Sequence, residues 1–171
     1  RWAVEHPAEA QAAVELYHRI RVRLARRDPN EFIEYVAIDE ETGQRFQQSP
    51  IHEKMQAAVS EHDRVVVFAN VEAGKTSQLS VYRTLWELGR NPNLRIAVIS
   101  NTVRQARKVA SNIKHLIESS EALHDVFPGL RPGKQWSETF FTVERTVHSR
   151  DPSITVLSVD TEGTLGSRFD L

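Results

Sequence analysis

Apolar residues at Ala10, Ala13, Val14, Tyr17, Ile20 and Leu24 recur at helical spacing along the first part of the chain. That periodicity predicts an amphipathic helix over residues 7–27, with Arg19, Arg21, Arg23, Arg26 and Arg27 off the apolar face. Asp28-Pro29-Asn30 stops it, and residues 31–49 read as an irregular linker arm. Pro50 opens a second helix with Ile51, Met55, Ala58 and Val59 on one face. The pattern then changes character. Residues 64–69 (RVVVFA) form an unbroken β-branched and aromatic run, which predicts a strand buried on both faces of a parallel sheet. Residues 70–75 make a tight turn, a helix follows over 76–88, and Gly89, Asn91 and Pro92 end it. A second buried strand is predicted at 95–100 (RIAVIS), then a helix with Ala106, Val109, Ala110, Ile113, Leu116 and Ile117 on one face. Residues 119–135 read as loop with one helical turn near Leu123. Strands at 139–143 and 154–159 lead to a two-glycine loop at 162–168.

Strand, helix, strand, helix, strand is the alternation of an α/β fold. It predicts a three-layer architecture with a mainly parallel central sheet, preceded by an N-terminal helical arm. The division expected is an arm over residues 1–49 and the α/β domain over 50–171. Composition changes the picture little: of 171 residues 40% are hydrophobic and 26% charged, an ordinary globular balance. Without cysteine there is neither a disulfide framework nor a thiolate metal site. The formal net charge of −1 gives no global case for nucleic-acid binding, so any such contact must be local. The chain starts at Arg1 and stops at Leu171, inside what reads as the start of a strand, which fits a piece of a longer protein.

The chemistry concentrates in Ala69-Asn70-Val71-Glu72-Ala73-Gly74-Lys75-Thr76. The phosphate-binding pattern is Gly, four residues, then Gly-Lys-Ser/Thr between a strand and a helix; here the ending is intact and Ala69 replaces the first glycine. Gly74 lets the backbone approach an anion closely. The amides of Ala73 to Thr76 point at it from a helix N-terminus. Lys75 would grip β- and γ-phosphates and Thr76 would ligate Mg²⁺. The binding set is therefore Asn70, Val71, Glu72, Ala73, Gly74, Lys75, Thr76 and Ser77, with ATP and Mg²⁺ as ligands.

From about residue 50 onward the chain resembles the ATPase domain of tailed-bacteriophage terminase large subunits, a P-loop NTPase family. The resemblance is carried by Pro50-Ile51-His52, the turn itself, Ile99-Ser100-Asn101-Thr102 with Gln105-Ala106-Arg107, and Phe127-Pro128-Gly129-Leu130. Trp136, residues 139–143, residues 154–157 and Gly163-Thr164-Leu165-Gly166-Ser167-Arg168 complete it. The resemblance implies an ATP-driven motor that pumps double-stranded viral DNA into a procapsid. Its implied partners are a portal protein, a small terminase subunit and further copies of itself in a ring, a pentamer in the family. The implied setting is the cytoplasm of an infected bacterium. A nuclease domain is expected C-terminally, and the two acids of the family's second motif are expected after Leu171, so Asp170 is not one of them. The 163–168 loop would couple the site to motion. Val71 stands where many relatives place an arginine, which leaves Arg104 and Arg168, or a neighbouring copy, to stabilise transition-state charge. Gln48 first, then Gln47 and His52, occupy the region where such motors hold adenine.

Other residues read blandly. The seven histidines show no metal-ligand spacing, Trp136 reads as a packing anchor, and Arg107, Lys108 and Lys114 as a solvated basic face. Two rival readings stand beside the motor: a superfamily-two helicase or translocase, and a non-catalytic nucleotide-binding scaffold.

Overall fold

The computed structural model describes residues 6–39, 42–159 and 168–171. Helices α1 (Pro7–Ala25), α2 (Pro29–Val36) and α3 (Pro50–Glu61) precede the turn; a π-helix (Thr76–Tyr82) then runs unbroken into α4 (Arg83–Arg90). Strand β1 (Ile96–Ser100) is followed by α5 (Val103–Ser119), α6 (Glu121–Val126), β2 (Pro132–Trp136), β3 (Phe140–Val143) and β4 (Ile154–Ser158).

Asp28-Pro29 serves two elements. It ends α1, and the Asp28 carboxylate then accepts from the Asn30 amide at 2.7 Å to cap α2, whose first residue is the proline. The stretch expected as an irregular arm therefore contains a helix whose Phe32, Ile33, Tyr35 and Val36 are buried. They join one core with Leu85 and Leu88 of α4, Ile113 and Ile117 of α5, Phe141 of β3 and Ile154 of β4.

Helix α1 departs from expectation in the opposite sense. Val14 (62%), Tyr17 (64%), Ile20 (47%) and Leu24 (41%) are exposed, and Ala25 is its buried residue. Its C-terminal half docks: the Tyr35 hydroxyl meets His18 Nδ1 at 3.2 Å, Arg21 pairs with Glu31 at 3.0 Å, Trp86 Nε1 donates to the Ala25 carbonyl at 3.0 Å, and Arg26 Nε to the Val126 carbonyl at 2.6 Å.

The sheet corrects the expected fold class. Its order is β1-β4-β3-β2. β1 and β4 run parallel from Ile96↔Ile154 to Ser100↔Ser158, whereas β4–β3 and β3–β2 are antiparallel. The short connection through residues 137–139 permits only an antiparallel pair, while the long crossover containing α5 permits the parallel one. A mixed four-stranded sheet with one parallel pair is not the mainly parallel three-layer P-loop sheet that the alternation predicts. The run 64–69 is the second half of the correction. It forms no strand among the described residues, and Val66 and Phe68 are 79% and 93% exposed. A continuous apolar run specifies burial only when a neighbouring strand offers it.

The far edge of β1 carries the last residues of the chain. Ala97 N–H donates to the Leu171 carbonyl at 3.0 Å and Asp170 N–H to the Arg95 carbonyl at 2.7 Å. Arg95 forks the Asp170 carboxylate through Nε (2.9 Å) and Nη2 (2.7 Å), and these hydrogen bonds hold Asp170 below its ordinary value. Burial, then the nearby Arg95 charge, pushes the Arg145 guanidinium down.

Candidate phosphate-binding site

The turn between α3 and the π-helix contains two residues in the left-handed region, Glu72 (φ 67°) and Gly74 (φ 70°), one residue apart. Ala73 N–H closes the turn on the Asn70 carbonyl at 3.3 Å. Left-handed residues of this kind direct successive amides to one side and make an anion-binding concavity. Glycine bears a positive φ without strain; glutamate does not, at a cost on the order of 1 kcal/mol. Strained non-glycine residues cluster at functional sites, and nothing in the sequence pattern singles Glu72 out for a positive φ.

Lys75 sits at the mouth of the turn. Its Nζ donates to the carbonyls of Ala69 (2.8 Å) and Asn70 (2.6 Å), which fixes the ammonium against the turn's own backbone. The helix begins immediately after it, with Gln78 N–H bonded to the Gly74 carbonyl at 2.9 Å. Thr76 and Ser77 present exposed hydroxyls in its first turn, and Asn70 and Val71 are exposed. Residues 76–82 are wound as a π-helix, a form that recurs at functional sites.

His52 covers the turn from α3. A Cβ at Gly74 would lie 3.2 Å from His52 Nε2. His52 Nδ1 accepts from Ser49 N–H at 3.3 Å, reaching back from the first turn of α3 to its cap. In a neutral ring the proton then sits on Nε2, the edge that faces Gly74. Phe46 stacks tilted on the same ring, with centroids 5.4 Å apart.

A buried polar network backs the π-helix. Gln48 Nε2 donates to Gln78 Oε1 (3.1 Å) and Gln78 Nε2 returns a bond to Gln48 Oε1 (2.7 Å). Gln48 also donates to Asn30 Oδ1 at 2.9 Å. Gln56 Nε2 donates to the Gln78 carbonyl at 3.0 Å, and Arg83 Nη1 reaches Ser60 Oγ at 2.9 Å while pairing with Glu87 at 2.8 Å. Gln78 is 2% exposed, so its amide depends on these partners. The Gln48 side chain is thus turned inward onto the helix rather than toward an adenine.

The structure brings Asn70 through Ser77 together in one turn and leaves the two candidate arginines outside it. Among the described residues no hydrogen bond or ion pair joins Arg104 or Arg168 to residues 69–77, and both side chains are exposed. Arg104 lines a groove along α5 with Arg107 and Lys108. Most of the 163–168 loop lies outside the described residues. Among the described residues no group of three or more His, Asp or Glu side chains could hold a metal ion, and no helix is long and apolar enough to cross a membrane. No family model, curated protein or solved structure matches this chain.

Proposed function

We propose that the 70–77 turn binds the phosphates of a nucleoside triphosphate, and that the chain is the ATP-hydrolysing part of a DNA-packaging motor of the terminase large-subunit kind. The support is local to the turn and independent of the sheet. The observation that carries it is the pair of left-handed residues, Glu72 and Gly74, immediately before a lysine whose ammonium is already held against the turn.

On this reading the amides of residues 74–76 take the phosphate oxygens, that of Ala73 being spent on the Asn70 carbonyl. Lys75 exchanges its two carbonyl partners for the β- and γ-phosphates, gaining a charge-assisted contact. Thr76 offers one hydroxyl, so Mg²⁺ would be held mainly by phosphate oxygens and water, as is usual for that ion at nucleotide sites. A transition-state arginine would come from Arg104, Arg168 or a neighbouring copy in a ring. Double-stranded DNA, a portal protein and a small subunit are the partners this reading requires, in the cytoplasm of an infected bacterium.

ATP hydrolysis by the full-length protein, carrying the two acids that this reading requires after Leu171, and by its Lys75→Ala variant tests the reading. Loss of a single preorganised charge contact predicts a rate about a hundredfold lower or worse. Equal rates would remove the motor.

A further inference from the structure

A cavity of about 550 Å³ opens beside the turn, bordered by Gly74 and Ser77, the residues on either side of Lys75-Thr76. We propose that it receives the nucleoside part of the triphosphate, an inference that rests on the phosphate reading of the turn. The cavity shares Gly74 and Ser77 with the turn, so a molecule whose phosphates lie on the amides of residues 74–76 has its sugar end within reach of this opening.

The walls suit a flat, partly polar ring system. Phe46 and Tyr82 supply aromatic surface, Leu116 an aliphatic floor and Asn112 an amide able both to donate and to accept. Apolar and aromatic walls with a few polar groups, at a volume within about 300–1,000 Å³, are the pattern of a small-molecule pocket. Phe46 is held in place before any ligand arrives. Its amide donates to the Ala37 carbonyl at 3.0 Å and its ring rests on His52, which itself covers Gly74. The alternative upstream contact, Gln48, has its amide committed to Asn30 and Gln78. Recognition of the base therefore falls to Phe46 and to the exposed side of α5, neither of which belongs to the phosphate motif.

Isothermal titration of the whole chain with ATP and, separately, with inorganic tripolyphosphate separates the two halves of the site. Phe46→Ala removes a stacking surface and is expected to weaken ATP about tenfold or more, leaving tripolyphosphate as in wild type. Because Phe46 also packs on the core, a second variant adds volume instead. Asn112→Trp, at an exposed α5 position, should block ATP and spare tripolyphosphate. Lys75→Ala should lose both ligands. If Phe46→Ala and Asn112→Trp bind ATP like wild type while Lys75→Ala fails, the nucleoside lies elsewhere and this proposal alone is overturned. If wild type binds neither ligand, or Lys75→Ala binds both unchanged, the phosphate reading falls and takes the cavity with it.

Discussion

Replacing Gly74 by alanine attacks the turn at its most constrained point. The residue has φ 70°, where an L side chain costs roughly 1–2 kcal/mol. The new methyl would also sit 3.2 Å from His52 Nε2, so the ring must give by a few tenths of an ångström. The chain has two responses. It can keep the turn and bear the strain, which for a domain of this size lowers Tm by about 2–8 °C. Alternatively the turn flips out of the left-handed conformation, which spares stability but scatters the amides. The second route costs phosphate affinity about tenfold, since each 1.4 kcal/mol is a factor of ten. Thermal unfolding read beside tripolyphosphate titration registers either outcome. Glu72→Gly is the matched control. It relieves a similar strain at φ 67°, offset by the roughly 0.5–1 kcal/mol of chain entropy that glycine forfeits, so Tm should stay within about 2 °C of wild type. A Gly74→Ala protein with wild-type Tm and wild-type affinity would refute the left-handed geometry and the anion site built on it.

Gly89→Ala should destabilise without touching the site: a methyl there would meet the Phe127 ring at 2.2 Å. Overpacking of about 1–3 kcal/mol or more outweighs the helix propensity gained, and a calorimetric Tm equal to or above wild type would contradict it. The Tyr35 hydroxyl is pushed up to about 12, first by burial and then by its bond to Asp125. A raised folded value means its contribution is complete below the ordinary tyrosine value near 10 and is lost as pH climbs toward about 12. Ultraviolet titration should show a late tyrosine component that Tyr35→Phe removes, and that variant should flatten the alkaline fall in stability. Asp170 is depressed by Arg95, so its contribution is present above the ordinary carboxylate value and fades as pH drops through the folded one. Chemical denaturation at neutral pH should therefore separate wild type from Asp170→Asn, and the gap should close in acid; a gap that persists there would break the assignment.

What could be read from the residues was whatever depends on local order. The tight turn before the 76–82 helix came from its Gly-Lys-Thr ending, and the buried stripe of α5 from Ala106, Ala110, Ile113 and Ile117. Long-range pairing was less legible. Residues 64–69 carry every local mark of a buried strand, yet pairing is decided by a partner, and no periodicity encodes one. β2 begins at Pro132 and contains Gly133, residues that argue against a strand until β3 is beside it. Asp28-Pro29 is legible as a stop, but the same two residues are an N-cap and a first helical position, and that double use hides α2. The Gln48–Gln78–Gln56–Arg83 network joins residues far apart in sequence, and amides give no hydrophobic signal. In the motif Glu72 is one unremarked position of eight; its strained backbone is a property of the folded turn.

The 64–69 run, with Val66 and Phe68 in solvent, has a practical consequence for anyone handling the protein. Six consecutive residues without proline or glycine, carrying a single charge at Arg64, are a ready template for cross-molecular β-pairing. Concentrated solutions should thicken or precipitate through this stretch, sooner when added salt screens Asp63 and Arg64. A lysine in place of Phe68, which is already in solvent, should keep the material dispersed without disturbing the interior.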